Sequence, residues 1–497
     1  MNMYLRNPIP LLLLVGSLLL LILVGGGIGL MASTQAASLL QTESPNHLDY
    51  LTYLPYVNKD YPWANLFGVE ASSSFTPGNI YTNYAIELHS GYARLNGRIS
   101  WRLLQPYEGD PINWDLLANL EVELRTLRTA NIRTILVVDD YPIWATDNTV
   151  RDDGQPTSCG PLLPERYDDF TVFVKALVSR YMQSEFNVHI WELGNEPDVD
   201  PNLVEPNNIF GCWGDRDELF YNGDAYGQML ITVSQAIKSV DSHAQIWIGG
   251  LLLGSPNTID PGHIGRPEYF LNGILEAGAA PYIDVISYHA YLQWNGQQVD
   301  QDIYSGTAWD SWGGVMRGKA AFLRTIMAQY GVNLPLFISE TGMICSWCQP
   351  GHYDEFADLQ ADVVPRSFPR AMADNITGYI WFTLDGPGWR MGGLLDENQQ
   401  PKPVFFAYRT FMDLIYSHDF LGAVNYGSDL EAYRYVGATE RVDIVFSILD
   451  ASHVISLPQS EFIAAYDRFG VSIIPTPNGQ NFDLTVQFEP IYLIRTR

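Results

Sequence analysis

Residues 188–198 read Val-His-Ile-Trp-Glu-Leu-Gly-Asn-Glu-Pro-Asp, an apolar run that ends in a turn and then presents the carboxylate of Glu196. Such a run, bounded by turn residues, predicts a buried strand. The chain contains seven further runs of this kind: Phe67–Val69, Arg98–Trp101, Thr134–Val138, Ile246–Gly250, Asp284–Tyr288, Leu336–Ser339 and Gly378–Phe382. We therefore expect eight strands, of which Val188–Leu193 is the fourth.

Amphipathic stretches separate these runs. After Asn113, a predicted N-cap, leucines recur at helical spacing as far as Leu127, and the same spacing appears in Phe170–Tyr181, Met229–Ile237 and Val315–Met327. Strands that alternate with helices predict βαβ units and a parallel sheet. Eight units predict an α/β fold, a (β/α)8 TIM barrel. The alternative is a doubly wound open sheet, which usually has a glycine-rich phosphate turn that this sequence lacks after its first strand.

The pattern changes after about Tyr416. Apolar and polar residues then alternate in short runs, with Gly, Pro and Asn between them: Glu431–Tyr435, Val442–Ile448, Phe462–Tyr466, Phe482–Phe488 and Ile491–Ile494. Alternation with period two predicts half-buried strands. We expect the barrel domain over residues 63–416 and a small C-terminal antiparallel β-domain, similar to a sandwich, over residues 417–497.

The N-terminus has the order of a secretory signal. Residues 1–6 carry one basic charge, residues 9–31 are apolar, and a small-residue stretch follows over residues 32–37. The apolar run is nearly long enough to span a bilayer. Residues 1–37 are therefore predicted to be a signal peptide or an N-terminal anchor, and residues 38–62 a linker. Both alternatives predict a protein that is secreted, or anchored in the membrane and facing outside.

The chain has four cysteines, and an exported protein is expected to pair them. Of the three possible pairings, we favour Cys159–Cys212 with Cys345–Cys348. A zinc site is disfavoured because the sequence has only one C-x-x-C. A redox role lacks a thioredoxin-like context.

Charge excludes some classes of partner. The 497 residues include 28 Lys and Arg against 56 Asp and Glu, which gives a formal net charge of −28. A nucleic-acid partner is excluded because phosphate binding needs a basic surface. Docking on an anionic membrane is disfavoured for the same reason, which leaves the N-terminal segment as the only predicted membrane contact.

Two glutamates follow predicted strands. Glu196 follows the fourth strand and Glu340 follows the seventh. In a (β/α)8 barrel, reactive groups lie at the carboxyl ends of the strands, so these two carboxylates are expected to meet across the barrel mouth. Such a pair can cleave a glycosidic bond, because one group protonates the leaving oxygen while the other attacks the anomeric carbon or activates water. A single glutamate at a strand end could equally cap a helix or pair with an arginine.

Several segments resemble clan A of the glycoside hydrolases, a large group of retaining (β/α)8 enzymes. The matching segments are Asn195-Glu196-Pro197 after strand four, Ile338–Gly342 at strand seven, His289-Ala290-Tyr291 at strand six, Trp381 at strand eight and, more loosely, Arg98 at strand two, with Arg102 as its rival. The resemblance covers about residues 66–416. Within the clan it is similar to family 39 or family 5 and does not resolve the two.

The resemblance implies a role for each matched residue. Glu196 would be the acid/base and Glu340 the nucleophile, while Asn195 would bind the sugar 2-hydroxyl. Tyr291 and Arg98 would keep Glu340 ionised, His289 would line the same subsite, and Trp381 would form the floor under the reacting sugar. Such a site uses no cofactor and no metal.

The end of the third strand and several loops supply further candidates. Residues 138–145 lack the histidine usual in family 5, and their Pro-x-Trp-Ala turn resembles family 39, which holds β-xylosidases and α-iduronidases. Substrate contacts are predicted for Asp140 and Trp144. Asp139 and Tyr141 are further candidates. The alternative for Asp139, Asp140 and Tyr141 is that they cap the following loop. Aromatic platforms that bind sugars are predicted among the loop tryptophans Trp144, Trp213, Trp294, Trp347 and Trp389.

These observations predict a retaining glycoside hydrolase that cleaves O-glycosidic bonds of an extracellular oligo- or polysaccharide by double displacement. The acidic chain favours a neutral carbohydrate over a polyanionic one. The alternative is a non-catalytic glycan-binding surface protein that keeps the clan A barrel. A barrel hydrolase that uses a metal is disfavoured because the nine histidines are scattered and only His289 falls at a strand end.

Overall fold

The computed structural model describes residues 66–146, 161–203, 211, 213–348 and 353–497. The predicted signal or anchor (residues 1–37), the linker (residues 38–62) and the Cys159–Cys212 pair lie outside the described residues. Within those ranges, no helix is long and apolar enough to cross a membrane.

Eight parallel strands form the first sheet: β1 (Phe67–Glu70), β2 (Tyr92–Ser100), β3 (Arg133–Asp139), β4 (Ile190–Asn195), β5 (Gln245–Gly250), β6 (Ile286–Gln293), β7 (Leu336–Ile344) and β8 (Ile376–Phe382). Their order is β5-β4-β3-β2-β1-β8-β7-β6. Parallel bridges from Trp247 to Val285 and from Leu251 to Tyr288 join β5 to β6 and close the sheet. The predicted (β/α)8 barrel is confirmed.

Helices surround the barrel: α1 (Ile80–Glu87), α2 (Trp101–Leu104), α3 (Ala118–Thr129), α4 (Tyr167–Tyr181), α5 (Gly223–Val240), α6 (Phe270–Glu276), α7 (Val315–Gln329), α8 (Tyr353–Ala373) and α9 (Pro403–Ile415). Helix α3 buries Leu120, Leu124 and Leu127, the stripe that its leucine spacing predicts. Asn113 does not cap α3, because a 3-10 turn over Trp114–Leu117 precedes the helix and Asn113 makes no side-chain cap bond to it.

The second strand begins earlier than its sequence pattern indicates. The prediction placed it at Arg98–Trp101, whereas β2 starts at Tyr92 and Trp101 already opens α2. Tyr92 lies in the apolar cluster that fills the barrel floor, with Ile135, Ile190, Trp247, Val285, Phe337 and Ile380. Because side chains alternate along a strand, Arg94 points to the same interior side as Tyr92, one layer nearer the mouth.

The C-terminal region forms two antiparallel sheets from β9 (Asp419–Ala423), β10 (Leu430–Val436), β11 (Glu440–Ser447), β12 (His453–Pro458), β13 (Phe462–Asp467), β14 (Thr476–Asn478), β15 (Asn481–Val486) and β16 (Ile491–Thr496). The larger sheet has the order β13-β16-β11-β10-β9 and the smaller β12-β15-β14. Leu430 and Val445 of the first sheet share an apolar cluster with Ile455 and Leu484 of the second. The predicted β-domain is therefore confirmed as two sheets packed face to face.

A buried ionic cluster joins this domain to the barrel. Arg370 of α8 donates to both carboxylate oxygens of Glu431 on β10, each at 2.7 Å. Its remaining terminal nitrogen lies 2.7 Å from Asp300, which also pairs with Arg366 at 2.8 Å. Barrel and β-domain fall within one compact unit.

Candidate active site

Two predicted glutamates meet at the barrel mouth. Glu340 lies within β7, and Glu196 directly follows the last residue of β4. One carboxylate oxygen from each and a ring nitrogen of His289 lie within 4.8 Å of one another. The Glu196 amide donates to the Gly250 carbonyl at 3.1 Å, which ties the turn after β4 to the end of β5.

Glu340 is held by donors. One oxygen accepts from Arg94 Nη1 at 2.5 Å, and the other accepts from the Tyr291 hydroxyl. Both partners stabilise the ionised form of a carboxylate, one by its charge and the other by its hydrogen bond. Tyr291 therefore makes the contact with Glu340 that the family resemblance implies for it.

Arg94 is fully buried and connects four side chains. Its Nε donates to Glu192 and its Nη1 to Glu70, while Nη2 donates to the Asn195 side chain, each at 2.7 Å. Burial raises the pKa of Glu70 to about 8 although the charge of Arg94 opposes that shift. The hydrogen bond from Arg94 fixes the amide oxygen of Asn195 and so orients the side chain that the family resemblance assigns to the sugar.

Glu196 has a different environment. Burial raises its pKa to about 7, against the opposing positive charges of Lys319 and Arg94. His289 Nδ1 lies 2.8 Å from Glu196 and 3.4 Å from Glu340. Burial lowers the pKa of His289 to about 4, so the ring is neutral near pH 7 and adds no charge to the pair.

Lys319 of α7 bonds the main chain at His289 and so helps to position the imidazole ring. Its ammonium group donates to the main-chain oxygens of His289 and Leu252, at 2.8 and 2.7 Å. Burial lowers the pKa of Lys319 to about 8. Asp198 accepts from the amides of Leu252 and Leu253, so the loop after β5 is fixed to the segment that carries Glu196.

The side chains of Glu196, His289 and Glu340 are also possible ligands for a metal ion. His289 already bonds Glu196, and Glu340 already pairs with the Arg94 guanidinium. A cation at this point would face that fixed positive charge. The hydrogen bonds account for the cluster without a metal.

The assignment of Arg98 is wrong. Arg98 pairs with Glu123 of α3 at 3.0 Å and donates to the Ala71 carbonyl, whereas Arg94 bonds Glu340. Its rival Arg102 pairs with Asp140 at 2.8 Å. The error follows from the late start assigned to β2, since a strand counted from Tyr92 would have placed Arg94 inside the barrel.

The assignment of Trp381 is also wrong. Its side chain is 0% exposed, and its indole N–H donates to the Gly392 carbonyl at 2.9 Å, so a sugar cannot stack on it. Ile380 lies in the barrel floor, and alternation along β8 therefore turns Phe382 inward. The half-buried Phe382 ring lies 6.1 Å from the Tyr291 ring, in the place expected of the tryptophan.

The candidates after β3 are engaged in local structure. Buried Asp140 accepts from Ser100 and from two nitrogens of Arg102, so its predicted contact with substrate gives way to an ion pair that anchors the loop. The Trp144 indole donates to the Gln105 carbonyl, and its ring packs 5.2 Å from Trp101. Contact between Trp144 and substrate stays a prediction.

The other loop tryptophans differ in their exposure to solvent. Trp213 and Trp294 are buried, which makes them packing residues and not platforms. Trp389 is 48% exposed, and its ring lies edge-on to Tyr291 at 5.3 Å. Trp347 is 44% exposed and stands between Cys345 and Cys348, whose predicted disulfide is confirmed.

The fold and this mouth can be compared with known proteins. No family model and no curated protein sequence matches the chain. Among solved structures, the chain is similar to a family 39 glycoside hydrolase from the gut symbiont Bacteroides cellulosilyticus WH2, at 16% identity and a TM-score of 0.61 over 88% of this chain and 81% of that one.

Two further structures have the same fold. A GH30 endoxylanase from Clostridium papyrosolvens C71 aligns at 11% identity and a TM-score of 0.56, over 87% of this chain and 96% of that one. A GH39 β-xylosidase from Caulobacter crescentus aligns at 14% identity and a TM-score of 0.55, over 88% and 97%. The resemblance to clan A is confirmed at the level of the fold, and the neighbours come from more than one family.

Proposed function

We propose that this protein is a retaining glycoside hydrolase that cleaves O-glycosidic bonds of an extracellular oligo- or polysaccharide. The observation that carries the proposal is the Glu196–Glu340 pair, in which one oxygen of each carboxylate lies within 4.8 Å of one oxygen of the other. Retaining enzymes hold their carboxyl groups about 5–5.5 Å apart, whereas inverting enzymes need about 6.5–9.5 Å to admit a water. The neighbouring folds of families 39 and 30 support the same reaction class.

The two environments support different roles. Arg94 and Tyr291 stabilise the negative charge of Glu340, which suits a nucleophile that attacks the anomeric carbon. Burial keeps a proton on Glu196 up to about pH 7, which suits the acid that protonates the leaving oxygen. After the glycosyl-enzyme forms, the ionised Glu196 accepts a proton from the attacking water, and the sugar leaves with its original anomeric configuration.

Leaving-group dependence tests these roles. Glu340→Gln should abolish hydrolysis whatever the leaving group. Glu196→Gln should lower kcat/KM by about 10²–10⁴-fold for sugar leaving groups and much less for nitrophenyl groups, which depart without a proton. The exposed Glu185→Gln serves as the matched control. Substantial activity in Glu340→Gln would refute the nucleophile, and inert wild-type protein across a broad glycoside panel would favour the non-catalytic alternative.

We expect a neutral sugar at the cleavage point. The nucleophile Glu340 faces the cleavage point, and the Arg94 guanidinium near it is already engaged with Glu340 and Glu192. An anionic sugar would meet the negative charge of Glu340 at close range. Comparing matched neutral and uronic-acid substrates tests the point, because a preference for the uronide would contradict it.

An extracellular substrate implies export, which we propose on the sequence of residues 1–37. N-terminal sequencing of the protein from its own host should find cleavage after Ala36 or Ala37. Recovery of the intact N-terminus in the membrane fraction would instead favour the anchor.

A further inference from the structure

The β5–β6 edge of the barrel has little direct pairing between its strands. Two isolated bridges join β5 to β6, whereas β6 pairs along its whole length with β7. The His289 amide donates to the Leu251 carbonyl at 2.8 Å, and the chain after β5 then turns away. This edge bears directly on the proposed acid, because the His289 ring bonds Glu196.

Lys319 of α7 reaches this edge from the helix layer. Its ammonium group donates to the main-chain oxygens of Leu252 and His289, one on each side of the edge, at 2.7 and 2.8 Å. The residue is only 6% exposed. Burial of an ammonium group costs free energy that bonds to two neutral oxygens offset only in part. Joining two carbonyls needs N–H donors but no charge, so the buried charge indicates a second role.

Two carboxyl groups on the segment after β4 face this charge. Asp198 and Glu196 are the acids whose charges act on Lys319. Burial raises the pKa of Glu196 to about 7, and the positive charge of Lys319 opposes that rise more than the charge of Arg94 does. The lysine on α7 is therefore the cation that most favours the ionised form of Glu196.

The other titratable groups around Glu196 do not replace this charge. The His289 ring is neutral near pH 7, because burial lowers its pKa to about 4. Arg94 is bonded to Glu340 at 2.5 Å and to a second carboxylate at 2.7 Å, so its charge is compensated elsewhere. Burial lowers the pKa of Lys319 to about 8, which leaves its ammonium group charged at pH 7.

We propose that Lys319 is a positioning residue for both steps of hydrolysis: it fixes the β5–β6 edge, and its charge stabilises the ionised form of Glu196. In the first step Glu196 gives its proton to the leaving oxygen. In the second step it accepts a proton from water, while the water oxygen bonds the anomeric carbon and the bond to Glu340 breaks. A buried carboxyl group without a nearby cation would hold its proton too firmly for that step. This inference rests on the proposed function, because it takes Glu196 to act as acid and then as base.

Two neutral replacements separate charge from hydrogen bonding. Lys319→Gln keeps an N–H donor, whereas Lys319→Met keeps neither the donor nor the charge. In both, the alkaline limb of kcat/KM for a sugar leaving group should move up by about one pH unit, because Glu196 loses its cation. At pH 8, each variant should then retain about fivefold more of its own plateau value than the wild type does. Lys319→Met should lose more stability than Lys319→Gln, because it leaves two buried carbonyls unpaired.

Lys402 provides the matched control. It is also buried, and its ammonium group also donates to two main-chain oxygens, at 2.8 and 2.7 Å. The acids whose charges act on it are Asp396 and Glu397, in the loop after β8. Lys402→Met should therefore lose stability as Lys319→Met does and leave the alkaline limb in place. A limb that stays in place in both Lys319 variants as well would overturn the role of the charge.

Carbon-13 NMR separates the failure of this role from the failure of the reaction. In protein labelled at the glutamate carboxyl carbon, the resonance that Glu196→Gln removes reports the ionisation of Glu196, whether or not any substrate is hydrolysed. Its titration midpoint should be higher in Lys319→Gln than in the wild type by about one pH unit. A shifted midpoint in a protein that hydrolyses nothing would support the role of the charge and refute the proposed function. Hydrolysis with an unshifted midpoint and an unshifted limb would overturn the role of Lys319 and leave the proposed function standing.

Discussion

The Arg94 guanidinium is the cation around which the site is arranged. A buried arginine is costly unless its N–H groups find acceptors, and here they reach Glu70, Glu192, Glu340 and Asn195. Three carboxyl groups around one cation would leave excess negative charge. Burial removes part of it by keeping Glu70 protonated, with a pKa raised to about 8. The charge left on Glu340 is therefore the one that Arg94 and Tyr291 both stabilise.

Paired arginine variants test this arrangement. Arg94→Lys should lower kcat/KM by about ten- to a hundredfold, because a lysine point charge cannot reproduce the planar set of donors and leaves at least one buried acceptor unpaired. Arg98→Lys, at the residue that pairs with Glu123, should leave kcat/KM within about twofold. Steady-state kinetics decide the matter, and an equal or greater loss in Arg98→Lys would contradict the account.

The raised pKa of Glu196 predicts the alkaline limb of the pH profile. In its proposed role as the acid, Glu196 acts only when protonated, so kcat/KM should be maintained below about pH 7 and fall about tenfold per pH unit above the pKa. Profiles with a sugar leaving group measure this limb. In Glu196→Gln it should vanish, and a wild-type profile that rises from pH 7 to 9 would be incompatible with Glu196 as the acid.

At the scale of the elements, sequence predicted which segments are strands better than it predicted which way their side chains point. Glu196, Glu340, His289 and Tyr291 were found because each follows an apolar run at a strand end. Phe382 is missed because a strand has period two, so an error of one residue exchanges the barrel interior for the helix layer. Arg94 is missed for a different reason, because the apolar pattern starts the second strand at Arg98 whereas β2 begins at Tyr92.

The packing of side chains in the loops is a second property that the sequence does not predict. Trp213 and Trp389 both occur in loops that follow barrel strands, yet Trp213 is buried beside Tyr226 and Trp389 is exposed beside Tyr291. The difference in exposure depends on tertiary contacts with other elements, and a local sequence pattern does not encode those contacts. The C-terminal strands were predicted well because their alternation is a local property.

The end of β5 offers a test at this scale. A Cβ at Gly250 would come within 2.1 Å of His289 Nε2 and 2.5 Å of Ser339 Oγ, so the strand needs glycine there to let the histidine approach. Gly250→Ala should displace His289 from Glu196 and lower kcat/KM by about tenfold, because the hydrogen bond that positions Glu196 is lost.

Gly254, four residues later, provides the matched control, because a Cβ there has no neighbour within 4 Å among the described residues. Gly254→Ala should keep full activity and the wild-type melting temperature. If Gly250→Ala also behaved as wild type in both measurements, the close packing of His289 on β5 would be disproved.

At the scale of the whole molecule, the β-domain is fixed to the barrel by buried charge as well as by apolar contact. Asp300 lies between Arg366 and Arg370, and their charges hold its pKa below the ordinary range. Arg366 also donates to the main-chain oxygens of Ser447 and Phe488 in the β-domain. We therefore expect barrel and β-domain to unfold together.

Removal of one partner tests that coupling. Arg370→Met leaves Glu431 without its buried counter-charge and leaves Asp300 with Arg366 alone, and it should lower the free energy of unfolding by about 3–5 kcal/mol. Arg409→Met, which breaks a half-exposed pair with Glu87, should cost at most about 1 kcal/mol. Urea unfolding followed by tryptophan fluorescence measures both, and similar small losses would show that the interface is held by apolar packing alone.

Glu196 and Glu340 are proposed to cleave a glycosidic bond by double displacement, and the anomeric configuration of the first product tests this mechanism. Proton NMR follows that configuration from the start of hydrolysis of an aryl glycoside, before mutarotation mixes the anomers. A pair with oxygens within 4.8 Å predicts that the first product has the configuration of the substrate. A first product of inverted configuration would require a water between the carboxylates and would contradict Glu340 as the nucleophile.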